Sequence, residues 1–188
     1  MRSLPARLSA VAITAAALLS VAGPASAHGG EGTDGPAPGE HLTNAQRHAI
    51  VEATRQFKDL HAAEAAGYVP ASECTELPGV GGMGVHYLNP AYASDAVVDP
   101  LKPEVLVYYP TKHGRLRLGA VEYFVADADQ DLATDDDRPS LLGHEFNGPM
   151  PGHSADMPIH YDLHIWLYEK NPLGQLQPWN PDVSCAGS

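Results

Sequence analysis

Three side chains in three separate apolar segments, His86, Glu122 and His164, are hard to account for as core or as solvated surface. The clearest context is that of His164. From Ile159 to Tyr168 the chain alternates, with Ile159, Tyr161, Leu163, Ile165 and Leu167 on one side and His160, Asp162, His164, Trp166 and Tyr168 on the other. Period two with β-branched and aromatic residues predicts a strand with one apolar face. A solvated second face would carry Lys, Glu or Thr. This one carries two imidazoles and a carboxylate beside two large aromatics, so it reads as the wall of a pocket. Glu122 lies within Arg115–Ala126, where both alternating faces are apolar, which makes the strand central and the carboxylate buried. A lone buried carboxylate is costly unless a cation or hydrogen-bond donors neutralise it. His86 follows a run of glycines that fix its place by letting backbone pass close to a neighbour.

Adjacent strands lie about 4.8 Å apart, so groups on one face can converge on an ion. Two imidazoles and a carboxylate suit zinc with an open position, or iron and copper in other geometries. His86, Glu122 and His164 are therefore the candidate metal ligands, and Glu122 is also the candidate catalytic group. His160 cannot join His164 on the same ion in a regular strand, because four residues span roughly 13 Å. It follows Pro158 and is expected at the rim. Asp162 can orient an imidazole or add a ligand, and Trp166 and His144 complete the expected pocket. Two other readings remain open. The same residues could form a buried hydrogen-bond network, with Glu122 paired to Arg115 or Arg117, in a non-catalytic binding or structural domain. They could also perform metal-free acid–base chemistry, with Glu122 as base and a histidine as acid. No G-x-S-x-G elbow is present, which argues against triad hydrolysis.

Other motifs are weaker. Asp127, Asp129 and Asp131 imitate the start of a calcium loop, but Leu132 replaces the glycine at the sixth position and Arg138 the glutamate at the twelfth. A solvated acidic loop is expected there, with weak calcium binding the sharper alternative. Gly79, Gly81 and Gly84 match G-x-G-x-x-G but precede a strand rather than opening a helix, which is the wrong context for a dinucleotide. His48 and His61 are expected at the surface. A new amino terminus at His28 could chelate copper, although Gly29-Gly30 supplies no rigidity.

The elements that must hold these groups follow from the rest of the chain. Arg2 and Arg7, the apolar run Leu8–Val21 and Ala25-Ser26-Ala27 form an export signal cleaved after Ala27. Residues 28–41 form a Gly/Pro-rich arm without apolar residues to bury, and residues 42–188 are of one-domain size. Cys74 and Cys185 are expected to pair outside the cytoplasm, which stabilises by roughly 4–5 kcal/mol for so long a loop. The net charge of −12 opposes binding to nucleic acid or to anionic lipid, and no stretch is long and apolar enough for stable membrane insertion. The partners left are a metal ion or a small molecule. Thr43 and Gln46 predict a capping box that opens a helix carrying Ile50, Ala53, Phe57 and Leu60 and ending at Gly67. Val105–Tyr109 and Arg115–Ala126 predict a hairpin. The fold class is α+β: an N-terminal helix on a mainly antiparallel sheet, or a small open barrel, with long irregular loops.

The strings G-M-G-V-H-Y, L-R-L-G-A-V-E-Y-F and Y-D-L-H-I-W-L-Y-E-K-N-P-L-G, followed by W-N-P-D-V-S-C, resemble an uncharacterised family of bacterial exported proteins. The resemblance runs from the first helix to Cys185. It implies a shared fold and export, and it assigns no activity, cofactor or catalytic residue.

Overall fold

The computed structural model describes residues 41–95, 97–152 and 157–186. The expected export signal, residues 28–40 of the expected arm, and His153 in the Pro/Gly-rich connection lie outside the described residues. The elements run in the order α1 (Asn44–Thr54), a 3-10 turn (Arg55–Lys58), α2 (Leu60–Ala65), β1 (Val69–Pro70), β2 (Thr75–Leu77), β3 (Gly81–Leu88), α3 (Pro90–Ala93), β4 (Val105–Pro110), β5 (Leu116–Ala126), β6 (Ser140–Leu141), β7 (His144–Glu145), β8 (Asn147–Met150) and β9 (His160–Trp166). The fold is α+β. The main sheet has the order β1-β3-β4-β5-β9-β8, with β2 also on β3, and β6-β7 form a separate ribbon. Every strand pairing among the described residues is antiparallel. The sheet ends at β1 and β8 and does not close into a barrel.

The capping box at Thr43 and Gln46 is present. The single helix expected up to Gly67 is broken. Asp59 takes an extended conformation (φ −89°, ψ 112°), and its side chain accepts from the His61 amide to start α2. A residue whose carboxylate caps the next turn competes with helix continuation. Gly67, at φ +97°, ends the segment. Ile50, Phe57 and Ala63 from this region are buried against Tyr108, Tyr123 and Leu163 of the sheet. Buried tyrosine hydroxyls find carbonyls there, with Tyr108 donating to Phe57 O at 2.6 Å and Tyr123 to Pro100 O at 2.7 Å.

The opposite face of the sheet holds Val105, Val107, Ala120, Phe124 and Trp166, covered in part by Val183 from the C-terminal segment. Glycines in β3 permit this cover. A Cβ on Gly81 would lie 2.3 Å from Asn180 O, and one on Gly82 would lie 2.8 Å from Val183 Cγ1. The disulfide Cys74–Cys185 ties the same segment to the start of β2 across 111 residues.

A bulge in β5 sets which of its residues share a face. Between β4 and β5 the register passes from Val107↔Ala120 to Tyr108↔Leu118, so Gly119 is an extra residue on β5. Such a bulge shifts the alternation by one. Leu118 therefore packs with Val121 and Tyr123 on the helix-covered side, not with Ala120 and Glu122. The Gly119 carbonyl accepts from the amides of Leu167, Tyr168 and Glu169 at 3.3, 3.0 and 3.2 Å. Those bonds end β9 and turn Tyr168 away from the pocket face, so that its hydroxyl meets Thr54 Oγ1 at 2.7 Å.

Candidate metal centre

Across the sheet one row of facing residues runs Leu88, Val105, Glu122, His164, and the next runs His86, Val107, Ala120, Trp166. Glu122 and His164 are thus direct cross-strand neighbours on β5 and β9. His86 stands two strands away on β3, one row along, and its side chain reaches diagonally over the valines of β4. The Glu122 carboxylate receives both rings. His86 Nε2 lies 3.2 Å and His164 Nε2 3.3 Å from the same oxygen, Oε2. The two rings are close to perpendicular, at 85°, with centroids 6.0 Å apart. The side chains of His86, Glu122 and His164 are 11%, 5% and 0% exposed, so the group is sealed except at its His86 edge.

Each ring turns Nε2 inward and has an oxygen behind Nδ1. For His86 this is Ser72 Oγ at 2.9 Å, a hydroxyl that also accepts from the His86 amide at 3.1 Å. For His164 it is Asp162 Oδ1 at 3.7 Å, and Asn147 Nδ2 donates to the same oxygen at 3.3 Å. Ring nitrogens backed in this way, with the other nitrogen presented to a common point, are the usual arrangement around a metal.

The inner contacts are close without being hydrogen bonds. Glu122 Oε2 and both nitrogens of His164 are buried with no hydrogen-bond partner in acceptable geometry. Metal–ligand distances of about 2.0–2.1 Å in a tetrahedral site would put neighbouring ligand atoms about 3.3–3.4 Å apart. The separations of 3.2 and 3.3 Å between Glu122 Oε2 and the two ring nitrogens match that spacing. Among the described residues, His86, Glu122 and His164 are the group of three His, Cys, Asp or Glu side chains whose ligand atoms lie within 4.8 Å of one another, and all three are buried.

The electrostatics point the same way. Burial pushes the Glu122 carboxyl up to about 7 against the lowering effect of His164, with Asp162 and Glu104 adding to the rise. Burial pushes His164 down, but the Glu122 and Asp162 carboxylates outweigh it and hold the ring up at about 9. Asp162 is lowered in spite of its own burial, because His164, His160 and Asn147 favour its charged form. Two buried carboxylates thus flank one imidazole, in a place suited to positive charge.

The other expected site residues fall as follows. Arg115 and Arg117 are exposed, and Arg117 lies over the Tyr109 ring at 5.9 Å. The alternative in which Glu122 pairs with Arg115 or Arg117 is therefore corrected, since its close partners are the two histidines. His160 is not at the rim. It is fully buried, stacks on Phe124 at 5.0 Å and places Nδ1 3.1 Å from Pro158 O. It pairs with Ala126, two rows from His164, and is not one of the three convergent groups. Trp166 is on the same face beside the cluster, with its indole N–H donated to Gln177 O at 2.7 Å. His144 lies on β7, off the main sheet. The loop acids Asp129 and Asp131 are exposed and accept from the amides of Asp131 and Ala133 at 2.9 and 3.0 Å.

Ser72 and Asn147 were not legible as site residues. Ser72 stands in an irregular stretch before Cys74 and reaches His86 because Ala71 donates its amide to His86 O at 2.8 Å. Asn147 belongs to a four-residue edge strand broken by proline, and no sequence period marks it.

No family profile, no curated protein and no solved structure matches this chain.

Proposed function

We propose that this is an exported metal-binding protein that holds one first-row transition metal ion, zinc, copper or iron, through His86 Nε2, Glu122 Oε2 and His164 Nε2. The observation that carries the reading is the convergence of three buried ligand atoms, two from neighbouring strands and one from β3, on a point where they do not hydrogen-bond one another. The donor set contains imidazole and carboxylate and no thiolate, which suits zinc, copper and iron better than calcium or magnesium. Ser72 Oγ holds the His86 ring through Nδ1, the Asp162 carboxylate lies behind the His164 ring, and Asn147 steadies Asp162. Export is supported by the signal-like first 27 residues and by the Cys74–Cys185 bridge, which needs an oxidising compartment. The enclosed ligands favour retention of the ion over turnover of a substrate, since only the His86 edge meets solvent.

The test is elemental analysis of the untagged mature protein, combined with thermal melting in the presence and absence of a strong chelator. The expected result is a metal-to-protein ratio near one and a lower Tm after chelation. A ratio under about one tenth after growth with all three metals, with a Tm indifferent to chelator, would leave the cluster as a buried polar network or a metal-free acid–base pair.

A further inference from the structure

A second feature lies apart from the three ligands. A cavity of about 200 Å³ opens between Tyr92 of α3, Val97 and Val98 of the following loop, Glu104 just before β4, and Phe124 and Val125 of β5. Its lining is mostly apolar, with Glu104 its one charged side chain and Ser94 and Tyr92 adding hydroxyls. Glu104 is 1% exposed, and its Oε2 accepts from the Phe124 amide at 3.3 Å. No Lys, Arg or His among the described residues forms an ion pair with it. Nearby Asp95 and Asp99 add negative charge, and burial together with these acids raises the Glu104 carboxyl to about 7. Lys102, two residues before Glu104, is exposed and pairs with Asp99 at 3.5 Å.

A buried carboxylate facing a cavity without a counter-charge is a costly arrangement that a bound cation would relieve. We propose that this cavity binds a small organic cation, an ammonium on a compact apolar body, with its head against Glu104 and its body against Phe124, Val98 and Tyr92. The acids at the rim disfavour an anion. A bare metal ion is disfavoured because Glu104 is the only carboxylate, imidazole or thiol among the cavity's lining residues. The volume admits about ten heavy atoms at most, since drug-sized ligands need about 300 Å³ or more. Phe124 forms the wall on one side and stacks on His160 on the other, so the cavity adjoins the metal-site face without sharing a ligand with it. The inference stands whether or not a metal is bound.

Titration of the full mature protein by NMR, in chelator-treated and metal-loaded forms, tests this with benzylammonium, benzyl alcohol and benzoate as probes. Saturable shifts at Phe124 and Val98 are expected for benzylammonium in both forms. The alcohol should bind at least tenfold more weakly, and benzoate should not bind. Glu104→Gln should remove the preference for the ammonium at least tenfold. Val98→Trp, which fills the cavity without touching Glu104, should abolish the shifts and covers the case in which the first variant does not fold. Equal binding of alcohol and ammonium, an unchanged affinity in the Glu104 variant, or no saturable shift with benzylammonium would each overturn the proposal.

Discussion

The His86–Glu122–His164 cluster and the loop from Asp127 to Asp137 both concentrate acidic or metal-ligating side chains, and they are built in opposite ways. The loop packs six aspartates into eleven consecutive residues. It then spends most of that capacity on itself. Asp129 accepts from the Asp131 amide and from the Thr134 hydroxyl, Asp131 from the Ala133 amide, and Asp137 from the Ala128 amide and the Tyr161 hydroxyl. Asp127, buried beside Asp129 and Asp137, has its carboxyl raised by burial and by those like charges, against the lowering effect of the Asp129 and Asp131 amides. The cluster uses only three residues from strands far apart in sequence. Glu122 Oε2 and His164 Nε2 are left without hydrogen bonds, while Ser72 bonds His86 Nδ1 and Asp162 stands 3.7 Å behind His164 Nδ1. A dense local motif satisfies its own backbone, whereas ligands carried on a rigid sheet can be held facing one another.

The contrast breaks most sharply at His164. His164→Ala should lower metal content at least tenfold and destabilise the fold by about 3–5 kcal/mol, because it leaves Glu122 buried with one fewer partner. Elemental analysis and denaturant melts read both effects. A full metal load in this variant would move the site elsewhere. Asp162→Asn keeps the shape but removes the charge behind His164, and such outer partners are worth about 10–100-fold in affinity. Competition against a chromophoric chelator should show a loss in that range, with the stoichiometry unchanged.

A smaller effect separates the buried carboxylates by pH. Glu104 has its pKa raised from 4.5 to about 7 on folding. Between those values the folded state keeps a proton that the unfolded chain has released. Its contribution is fully present below about 4.5 and is lost as pH rises through about 7. Glu104→Gln should therefore flatten the fall in stability of the metal-free protein over this window, measured by melts at stepped pH. A parallel fall in both proteins would contradict the assignment. Least of all should happen in the loop. Asp129→Asn with Asp131→Asn should leave transition-metal content unchanged and shift stability by no more than about 0.5 kcal/mol per site. Added calcium should not raise the Tm of the wild type. A clear calcium-dependent rise lost in the double variant would restore the loop as a site.

Much of the fold could be read from residue order alone, for reasons visible at particular positions. The alternation in β9, the turn between β4 and β5, the capping box at Thr43 and the single cysteine pair each express a local rule. The three side chains that converge were legible as a candidate group too, because a glutamate in a two-sided apolar strand and a histidine on an aromatic strand face have few bland explanations. What could not be read depended on one residue acting at a distance. Gly119 shifts Leu118 to the other face through a bulge. Asp59 breaks the helix by capping its successor. His160, which looked like a rim residue after Pro158, is buried because Phe124 stacks on it. Ser72 and Glu104 have no periodic context, and only the packed chain shows what they face.

X-ray absorption at the edge of the bound metal, on untagged protein, tests the three-ligand centre most directly. The expected spectrum contains two imidazole nitrogens and a carboxylate oxygen at about 2.0–2.1 Å with no sulfur, and loses one imidazole in His86→Ala. A protein that carries no metal, or one whose ligands are oxygen alone and unchanged in that variant, would contradict it.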